Sequence, residues 1–549
     1  MMSPTTRACI LSTAIAVGAA GVLDGIVAAR MSPTPDEGGH IEFGRRVLQG
    51  RPVRDRIYFD SKMPISALNA VPQLAADQLD SHHLLPRLAT LLQRWKLARV
   101  ASVLSLIVLN VLVFRWASEL YGPAAGIAAA MLVVLAPNLI AHGTLATTDG
   151  YFALGVLLSM YWLRQYLAQP TWKNACLSAC AFAFAQLTKP FAIYLYAIAA
   201  LGLAALKLGP GRGGKAPTVR NIASYVALCL AAFVLVLNLG FAFDRSFMRF
   251  GSYRFTSAPL INLQQAVVRL PVLWRARVPL PYPYLQGLDM SADDEAHGKS
   301  YGNVYLLGQV GNSKDPQFHG FKSYYLVAWF FKEPIALQLL LLFGLLEIRK
   351  RRSFTDFVLN EGLLLAASGA LVFWLSFFSR AQLGIRHVLP ALAANVVIAA
   401  AAFSRFPALS RGTKFGLSLL VVWLGISTLS YYPHLIPYMN EWVGDRRLAY
   451  RLLADSNLDW GQNAYLVRDF LAKNPDVVLN PPTPVCGRVL INANQLTGVS
   501  PPRNWRGRSW AWGYQPVEHI GYAHFLFHIP PDRADPNDVR GPDRCVGRP

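Results

Sequence analysis

Apolar runs of about 20 residues, the length that crosses a bilayer, recur along most of this 549-residue chain. Hydrophobic residues make up 53% and charged residues 15% of the composition, a balance that excludes an ordinary soluble enzyme. We predict a mainly α-helical, polytopic membrane bundle with the lipid bilayer as its solvent. It should have about eleven transmembrane helices, at residues 8–29, 97–116, 122–140, 150–167, 174–188, 190–206, 222–243, 323–346, 357–378, 387–404 and 414–433.

The distribution of basic residues predicts the orientation of this bundle. Short loops that share one side are rich in Lys and Arg, which favours a cytoplasmic location for that side. The loops 30–96 and 245–322 and the tail from residue 434 then lie outside, and the first apolar run is expected to be retained rather than cleaved as a signal peptide. We predict two domains, a membrane domain at 1–433 and an extracytoplasmic domain at 434–549.

The composition of the tail differs from that of the membrane part. Short alternating runs at 488–491 and 524–529 predict strands, and residues 445–454 predict a helix, which together indicate a small α/β domain. Cys486 and Cys545 could form a disulfide there, or both could be free. The net charge of +21 is not an indication of nucleic-acid binding, because no basic stripe lies on a soluble module.

An acidic pair, Asp36 and Glu37, follows the first apolar run directly. Charge at the edge of hydrocarbon is costly and tends to be functional. One interpretation is a general base, a carboxylate that takes the proton from an acceptor hydroxyl as its oxygen attacks a carbon. The alternative is a solvated pair at a helix start, where the helix dipole favours acidic residues.

Further charged residues are predicted to lie on the same outer face. They are Lys62 in the first loop, His142 and Asp149 in the next outer turn, Lys189, Arg386 and His387. Asp149 could instead only cap the helix that follows it. Carboxylates beside cations suit a reaction in which a hydroxyl loses its proton while an anionic leaving group, most naturally a phosphate, is released.

Other cofactor sites are not indicated. The chain has no dinucleotide fingerprint, so a nucleotide-sugar donor on a Rossmann domain is unsupported. A loop cluster of Asp293, Asp294, Glu295 and His297 could bind a hard cation, but consecutive acids in a loop are more often solvated charge. We therefore predict no soluble cofactor and no metal ligand among the site residues, and the sequence does not determine whether the protein depends on a metal ion.

Six short motifs resemble those of the protein O-mannosyltransferases and their bacterial relatives. These are GT-C glycosyltransferases, as are the lipid A aminoarabinose transferases. The motifs are Asp36-Glu37-Gly38-Gly39-His40-Ile41, Lys62-Met63-Pro64, Thr147-Thr148-Asp149, Leu187-Thr188-Lys189-Pro190, the run from Gly384 to Pro390, and the run from Asp455 to Gln462.

The resemblance implies an enzyme that uses a polyprenyl-phosphate sugar as donor and a hydroxyl group as acceptor. It implies that Asp36 is the catalytic carboxylate, that Glu37 assists or orients it, and that Asp149 is a second acidic site. Lys62, Lys189 and Arg386 would lie near the donor phosphate. The expected location is a bacterial inner membrane, with the active site and the tail facing the periplasm.

Two other functions remain open from the sequence. A transporter or flippase of lipid-linked sugars would also have many spans, but would favour midplane charges and paired broken helices. A non-catalytic scaffold of the cell envelope would use the tail as a binding module. The donor sugar and the acceptor, whether protein, lipid or glycan, are not determined by the sequence.

Overall fold

The structure, a computed structural model, describes residues 18–55, 59–208, 218–299, 302–351, 353–501 and 508–530. It is mainly helical, as predicted, and helix is found within each of the eleven predicted apolar runs. The helices of these runs are 18–30, Val100–Tyr121, Pro123–Val134, Pro137–Gly143, Asp149–Ala168, Trp172–Gln186, Pro190–Ile193, Tyr194–Leu208, Val219–Gly240, Tyr324–Lys332, Ile335–Arg351, Phe354–Phe357, Val358–Gly362, Leu363–Phe377, Ile385–Val388, Leu389–Ala399, Ala400–Phe403 and Arg411–Leu429.

Fewer of these helices are long and apolar enough to cross a membrane alone. Within the described residues there are five such helices, and up to seven spans if each of two bent helix pairs counts as one. The first pair, Pro123–Val134 with Pro137–Gly143, bends by 60°, and the second, Tyr324–Lys332 with Ile335–Lys350, bends by 106°. The predicted number of eleven transmembrane helices therefore stays a prediction.

Proline explains where both bends occur. Pro137 and Pro334 lack the backbone N–H that would continue the preceding helix, and each also restricts the residue before it to an extended conformation. The two bends contact each other, because the Asn138 side chain donates a 2.5 Å hydrogen bond to the carbonyl oxygen of Lys332. The breaks are thus joined by a buried polar contact.

The two predicted outer loops contain ordered helices. The first has Pro35–Leu48, Pro64–Ser66, Ala67–Ser81, Pro86–Leu92 and Trp95–Arg99. The second has Phe250–Ser252, Ala258–Val268, Pro271–Arg275, Tyr282–His297 and an antiparallel hairpin of Asn303–Leu306 with Gln309–Asn312. Asp293 forms ion pairs with Lys299, at 2.5 Å, and with His297, at 3.0 Å.

The tail contains one small sheet and short helices. Its strands are Val478–Leu479, Gly487–Asn492, Glu518–Ile520 and His524–Ile529, and both predicted strands are present as antiparallel neighbours. Its helices are Glu441–Val443, Arg446–Arg451, Asp455–Asn457, Ala464–Lys473, Ala493–Thr497 and Trp510–Gly513, and one further short helix, Phe406–Ala408, lies before the last span and outside the tail. The predicted helix at 445–454 is a shorter 3₁₀ helix, and the division at residue 434 stays a prediction. Cys545 lies outside the described residues, and so does the question whether it pairs with Cys486.

Candidate active site

Asp36 lies in the first turn of the helix Pro35–Leu48. This helix begins at Thr34, which forms a capping box with Glu37, and proline at the first helical position provides the required φ. The side chain of Asp36 keeps 26% of its surface exposed. The sequence therefore starts the helix at a fixed residue and leaves the Asp36 carboxylate accessible.

Glu37, one residue later, is buried in a different environment. Its carboxylate oxygens accept from Arg99 Nε at 2.7 Å and Nη2 at 2.6 Å, and from the backbone N–H groups of Thr34 and Ala146, each at 2.8 Å. Arg99 also donates to the carbonyl oxygens of Ala28, Met31 and Ser32. Glu37 thus connects the start of its helix to the turn that leads to Asp149.

Lys62 follows a tight turn that Arg54 holds in place. The Arg54 guanidinium donates to the carbonyl oxygens of Phe59 and Asp60, and to that of Pro283 at 2.7 Å. The backbone of Ile65 then donates to the carbonyl oxygen of Leu187 at 3.2 Å, which joins this turn to the segment that carries Lys189. Lys62 itself is buried.

Asp149 binds two cations from distant parts of the chain. Its carboxylate lies 2.8 Å from Lys189 Nζ and 3.5 Å from Arg386 Nη1. The same Arg386 Nη1 donates to Asp36 Oδ2 at 3.3 Å. Asp36, Arg386, Asp149 and Lys189 therefore form one continuous chain of ionic contacts at the ends of several helices.

A cavity of about 280 Å³ opens beside this chain of contacts and is called here the site cavity. Its lining is part charged and part apolar, and the residues Phe191, Trp374 and Leu375 are called here its apolar side. Its lining is Asp36, His40, Asp60, Ser61, Lys62, Lys189, Pro190, Phe191, Ser291, Glu295, Trp374, Leu375, Ser379, Ala381, Leu383, Arg386 and His387. The cavity can therefore hold an anionic group beside an apolar one.

The protein environment lowers the pKa of both first-loop groups, which favours the charged form of Asp36 and disfavours that of Lys62. Burial by itself would raise the pKa of Asp36, but Lys62 and Arg386, together with Lys189, lower that pKa below its ordinary value. Burial lowers the pKa of Lys62, and the nearby positive charges of Arg386 and Lys189 lower it further, although Asp36 and Asp60 oppose this. Asp36 is therefore ionised at neutral pH.

The eight residues predicted for the site fall into two groups. Five of them line the site cavity, namely Asp36, Lys62, Lys189, Arg386 and His387. The other three lie behind its wall: Asp149 binds the two cations, Glu37 pairs with Arg99, and His142 packs against the Trp460 ring with a centroid distance of 6.1 Å. Glu37 is thus buried in its pair with Arg99 and does not face the site cavity.

Several contributors to the site were not predicted, including the lining carboxylates Asp60 and Glu295, His40 and Trp460. His40 lines the site cavity one helical turn after Asp36 and donates to or accepts from Ser66 Oγ at 3.1 Å. The spacing of four residues along a helix was a signal that could have identified it. Trp460 lies beneath Arg386, with the guanidinium carbon 4.0 Å from the ring centroid, and only its membership of a motif pointed to it.

Part of the chain matches a known protein family. Residues 87–241 match the family model of the dolichyl-phosphate-mannose-protein mannosyltransferases. The predicted resemblance to these glycosyltransferases is confirmed. The matched region contains the motifs that carry Asp149 and Lys189, whereas Asp36, Lys62 and Arg386 lie outside it. No curated protein sequence matches the chain.

Solved structures of similar fold include ArnT from Cupriavidus metallidurans. The undecaprenyl phosphate complex of ArnT has a TM-score of 0.48 at 13% identity, over 95% of this chain and 98% of that one. Its apo state has a TM-score of 0.45 at 16% identity, over 79% and 71%. The archaeal oligosaccharyltransferase AglB from Archaeoglobus fulgidus, in complex with an inhibitory peptide and a dolichol-phosphate, has a TM-score of 0.43 at 12% identity, over 81% and 58%.

Proposed function

We propose that this protein is a membrane glycosyltransferase that moves one sugar from a polyprenyl phosphate to a hydroxyl group of an acceptor. The observation that carries this proposal is the lining of one cavity by a carboxylate, Asp36, and three cations, Lys62, Lys189 and Arg386. The family match supports it, because the description of that family names a dolichyl-phosphate sugar as donor.

The reaction requires one bond to form and one to break. The acceptor oxygen attacks the anomeric carbon, the bond from that carbon to the phosphate oxygen breaks, and Asp36 takes the proton from the acceptor hydroxyl. The polyprenyl phosphate leaves with its negative charge, which Lys189, Arg386 and Lys62 offset. Attack opposite to the leaving group inverts the anomeric centre.

Donor binding would prepare Asp36 for its role. The three cations lower the pKa of Asp36 and so make it a weak base in the empty site. A bound phosphate offsets the charge of the cations, which raises the pKa of Asp36 back towards its ordinary value. The carboxylate thus becomes a stronger base when a donor is present.

The apolar side of the site cavity suits the lipid part of such a donor. Phe191, Trp374 and Leu375 line it next to the charged groups. Trp374 is 54% exposed at the end of an apolar helix, and Phe373, Phe377 and Phe378 are exposed beside it. The prenyl chain would lie along these rings while its phosphate contacts the cations.

The experiment that tests this proposal uses the full-length protein in lipid nanodiscs. The donors are radiolabelled undecaprenyl-phosphate hexose and pentose, and membrane extracts of a strain lacking the gene supply the acceptors. The wild-type protein should release undecaprenyl phosphate and label one acceptor, and Asp36→Asn should abolish both. An unchanged rate in Asp36→Asn, with the wild type active, contradicts the assigned base.

A transporter of lipid-linked sugars remains the second candidate because of one observation. Two helix pairs are bent by 60° and 106°, and paired broken helices are typical of transporters. Asp36→Asn separates the two functions. The assay follows transbilayer movement of a fluorescent polyprenyl-phosphate sugar in vesicles. Transport would be favoured if Asp36→Asn retains this movement and the wild type transfers no sugar.

We place the protein in a bacterial inner membrane, with the site cavity and the tail on the periplasmic side. The basic loops at Arg349–Lys350 and at Arg405, Arg411 and Lys414 support this orientation. Cysteine accessibility in whole cells tests it. A cysteine introduced at Lys314 should react with a membrane-impermeant maleimide, and one introduced at Lys414 should not.

A further inference from the structure

The tail segment from Asp455 to Gln462, called here the tail motif, contacts the site at both of its ends. The motif lies in the part of the chain predicted to form a separate extracytoplasmic domain. It bonds to Asn494 of the tail, and it also contacts the segments that carry Asp36 and Arg386.

The first half of the motif holds the segment that carries Arg386. Ser456 Oγ accepts from Arg386 Nε at 3.2 Å and donates to the carbonyl oxygen of Leu383. Asn457 Oδ1 accepts from the backbone of Ile385 at 3.0 Å. Both side chains are fully buried, so these hydrogen bonds are shielded from competing water.

Asn457 is itself fixed from two sides. Its Nδ2 donates to the hydroxyl of Tyr324 at 2.9 Å, and its backbone carbonyl oxygen accepts from Lys332 Nζ at 2.6 Å. Tyr324 and Lys332 lie at the two ends of one helix of the strongly bent pair. The motif is thus anchored on the bundle rather than only on the tail.

The second half of the motif contacts both Arg386 and the residues just before the Asp36 helix. The Trp460 ring lies 4.0 Å below the Arg386 guanidinium carbon. The carbonyl oxygen of Gln462 accepts from the backbone of Ser32 at 2.9 Å, three residues before the helix that carries Asp36. One segment of eight residues therefore links the Asp36 helix to the Arg386 segment.

We propose that Ser456, Asn457 and Trp460 are positioning residues, which hold the Arg386 guanidinium where it can contact both Asp36 and the leaving phosphate. An arginine has several rotatable bonds, and its fork must face the phosphate oxygens to bind them well. The hydroxyl of Ser456 fixes Nε, and the Trp460 face supports the plane of the guanidinium. This inference rests on the proposed function for the identity of the anion.

A double-mutant cycle between Ser456 and Arg386 tests the proposal. The variants are Ser456→Ala, Arg386→Lys and their combination, in nanodiscs, with undecaprenyl phosphate as the binding probe. Loss of a hydrogen bond to a charged group should weaken probe binding by about tenfold in Ser456→Ala. In the Arg386→Lys background, which lacks Nε, the same change should weaken binding by less than about twofold. Equal factors in both backgrounds would overturn the proposal.

Two further variants cover a failure of Ser456→Ala to fold. Trp460→Phe keeps an aromatic face below Arg386 and should retain most of the affinity, whereas Trp460→Leu should lose it at similar thermal stability. Equal affinities in these two variants also count against the proposal. Ser427→Ala is the matched control, because Ser427 is buried in the helix Arg411–Leu429 and its Oγ lies 2.8 Å from the hydroxyl of Tyr438.

The binding assay also separates this inference from the proposed function. A cycle that shows coupling in a protein that transfers no sugar supports the positioning role and contradicts the transferase. A protein that transfers sugar but shows no coupling between Ser456 and Arg386 supports the transferase and contradicts the positioning role.

Discussion

Arg99 and Glu37 form a buried ion pair in which Nη2 and Oε2 are 2.6 Å apart and both side chains are almost completely inaccessible. Asp36, the neighbour of Glu37, faces the site cavity. Two adjacent carboxylates therefore have different surroundings, and the difference can be measured.

Glu37→Ala should destabilise the protein strongly. The change leaves the Arg99 guanidinium buried without its carboxylate, which typically costs about 3–5 kcal/mol. Thermal unfolding in detergent, followed by circular dichroism, should show a clear decrease in Tm. Asp36→Asn should leave Tm nearly unchanged while activity is lost.

Glu42→Gln is the control for that experiment. Glu42 pairs with Arg46 in the same helix, but its side chain is 44% exposed, and such surface pairs contribute at most about 1 kcal/mol. Its Tm should stay close to that of the wild type. If Glu37→Ala is as stable as Glu42→Gln, the structural role assigned to Glu37 is wrong.

The activity of the wild type should fall at alkaline pH as Lys62 loses its proton. In the proposed reaction Lys62 would stabilise the phosphate only when charged, and burial lowers the pKa of Lys62 from the usual 10.5, so the loss of activity should begin below the range of an exposed lysine. Lys62→Arg keeps the charge at every accessible pH. The alkaline limb of kcat/KM should move up by at least about one pH unit in this variant.

Lys314→Arg is the matched control for this pH profile, because Lys314 is exposed in a loop. It should leave the alkaline limb unchanged, and circular dichroism at each pH checks that the fold persists. An identical alkaline limb in the wild type and Lys62→Arg would exclude Lys62 as the titrating group.

Gly384→Ala should impair both folding and activity. Gly384 has φ +119° and ψ 169°, a conformation that is nearly restricted to glycine, and holding an alanine there costs about 1–3 kcal/mol. An added Cβ would also overlap Ser456 Oγ, which bonds Arg386. Tm and the KM for the donor report the two effects separately.

Gly416→Ala provides the comparison. Gly416 lies inside the helix Arg411–Leu429, and a Cβ there meets no atom within 4 Å. Alanine is the better helix former by about 1 kcal/mol, so this variant should be at least as stable as the wild type. A Gly384→Ala protein with wild-type Tm and KM would contradict the close approach of Ser456.

Trp374→Ala should weaken the use of long-chain donors selectively. Its exposed ring lines the apolar side of the site cavity, where the prenyl chain would contact it. We expect the KM for an undecaprenyl-phosphate donor to rise by about tenfold, in line with 1.5–3 kcal/mol for one large apolar contact. The KM for a short farnesyl-phosphate donor should change little, and equal changes for both donors would place the chain elsewhere.

Much of the fold could be predicted from hydropathy alone. Each predicted apolar run contains helix, because a backbone in hydrocarbon must satisfy its hydrogen bonds internally. The bends at Pro137 and Pro334 could not be predicted in the same way, because a proline in the sequence does not determine the angle between two helices. The order of the small tail sheet depends on contacts between strands that are far apart in sequence.

Most of the site residues could be predicted from the sequence, but the contacts that connect them could not. Lys189 and Arg386 were expected near Asp36, and Asp149 lies between the two cations, at 2.8 Å and 3.5 Å. The role of Ser456 and Trp460 was not visible, because their partner Arg386 lies about 70 positions earlier. Only a contact between distant segments assigns them to the site.

The sequence by itself determined the helices, their apolar lengths and the charged residues available at their ends. The family resemblance implied the catalytic role of Asp36, but only the tertiary structure shows that Asp36 lines the cavity while Glu37 is buried against Arg99. Adjacent positions on a helix differ by about 100° in direction, so Asp36 and Glu37 cannot share one environment. Packing against Arg99 fixes the direction of Glu37, and Arg386 and the tail motif then define the surroundings of Asp36.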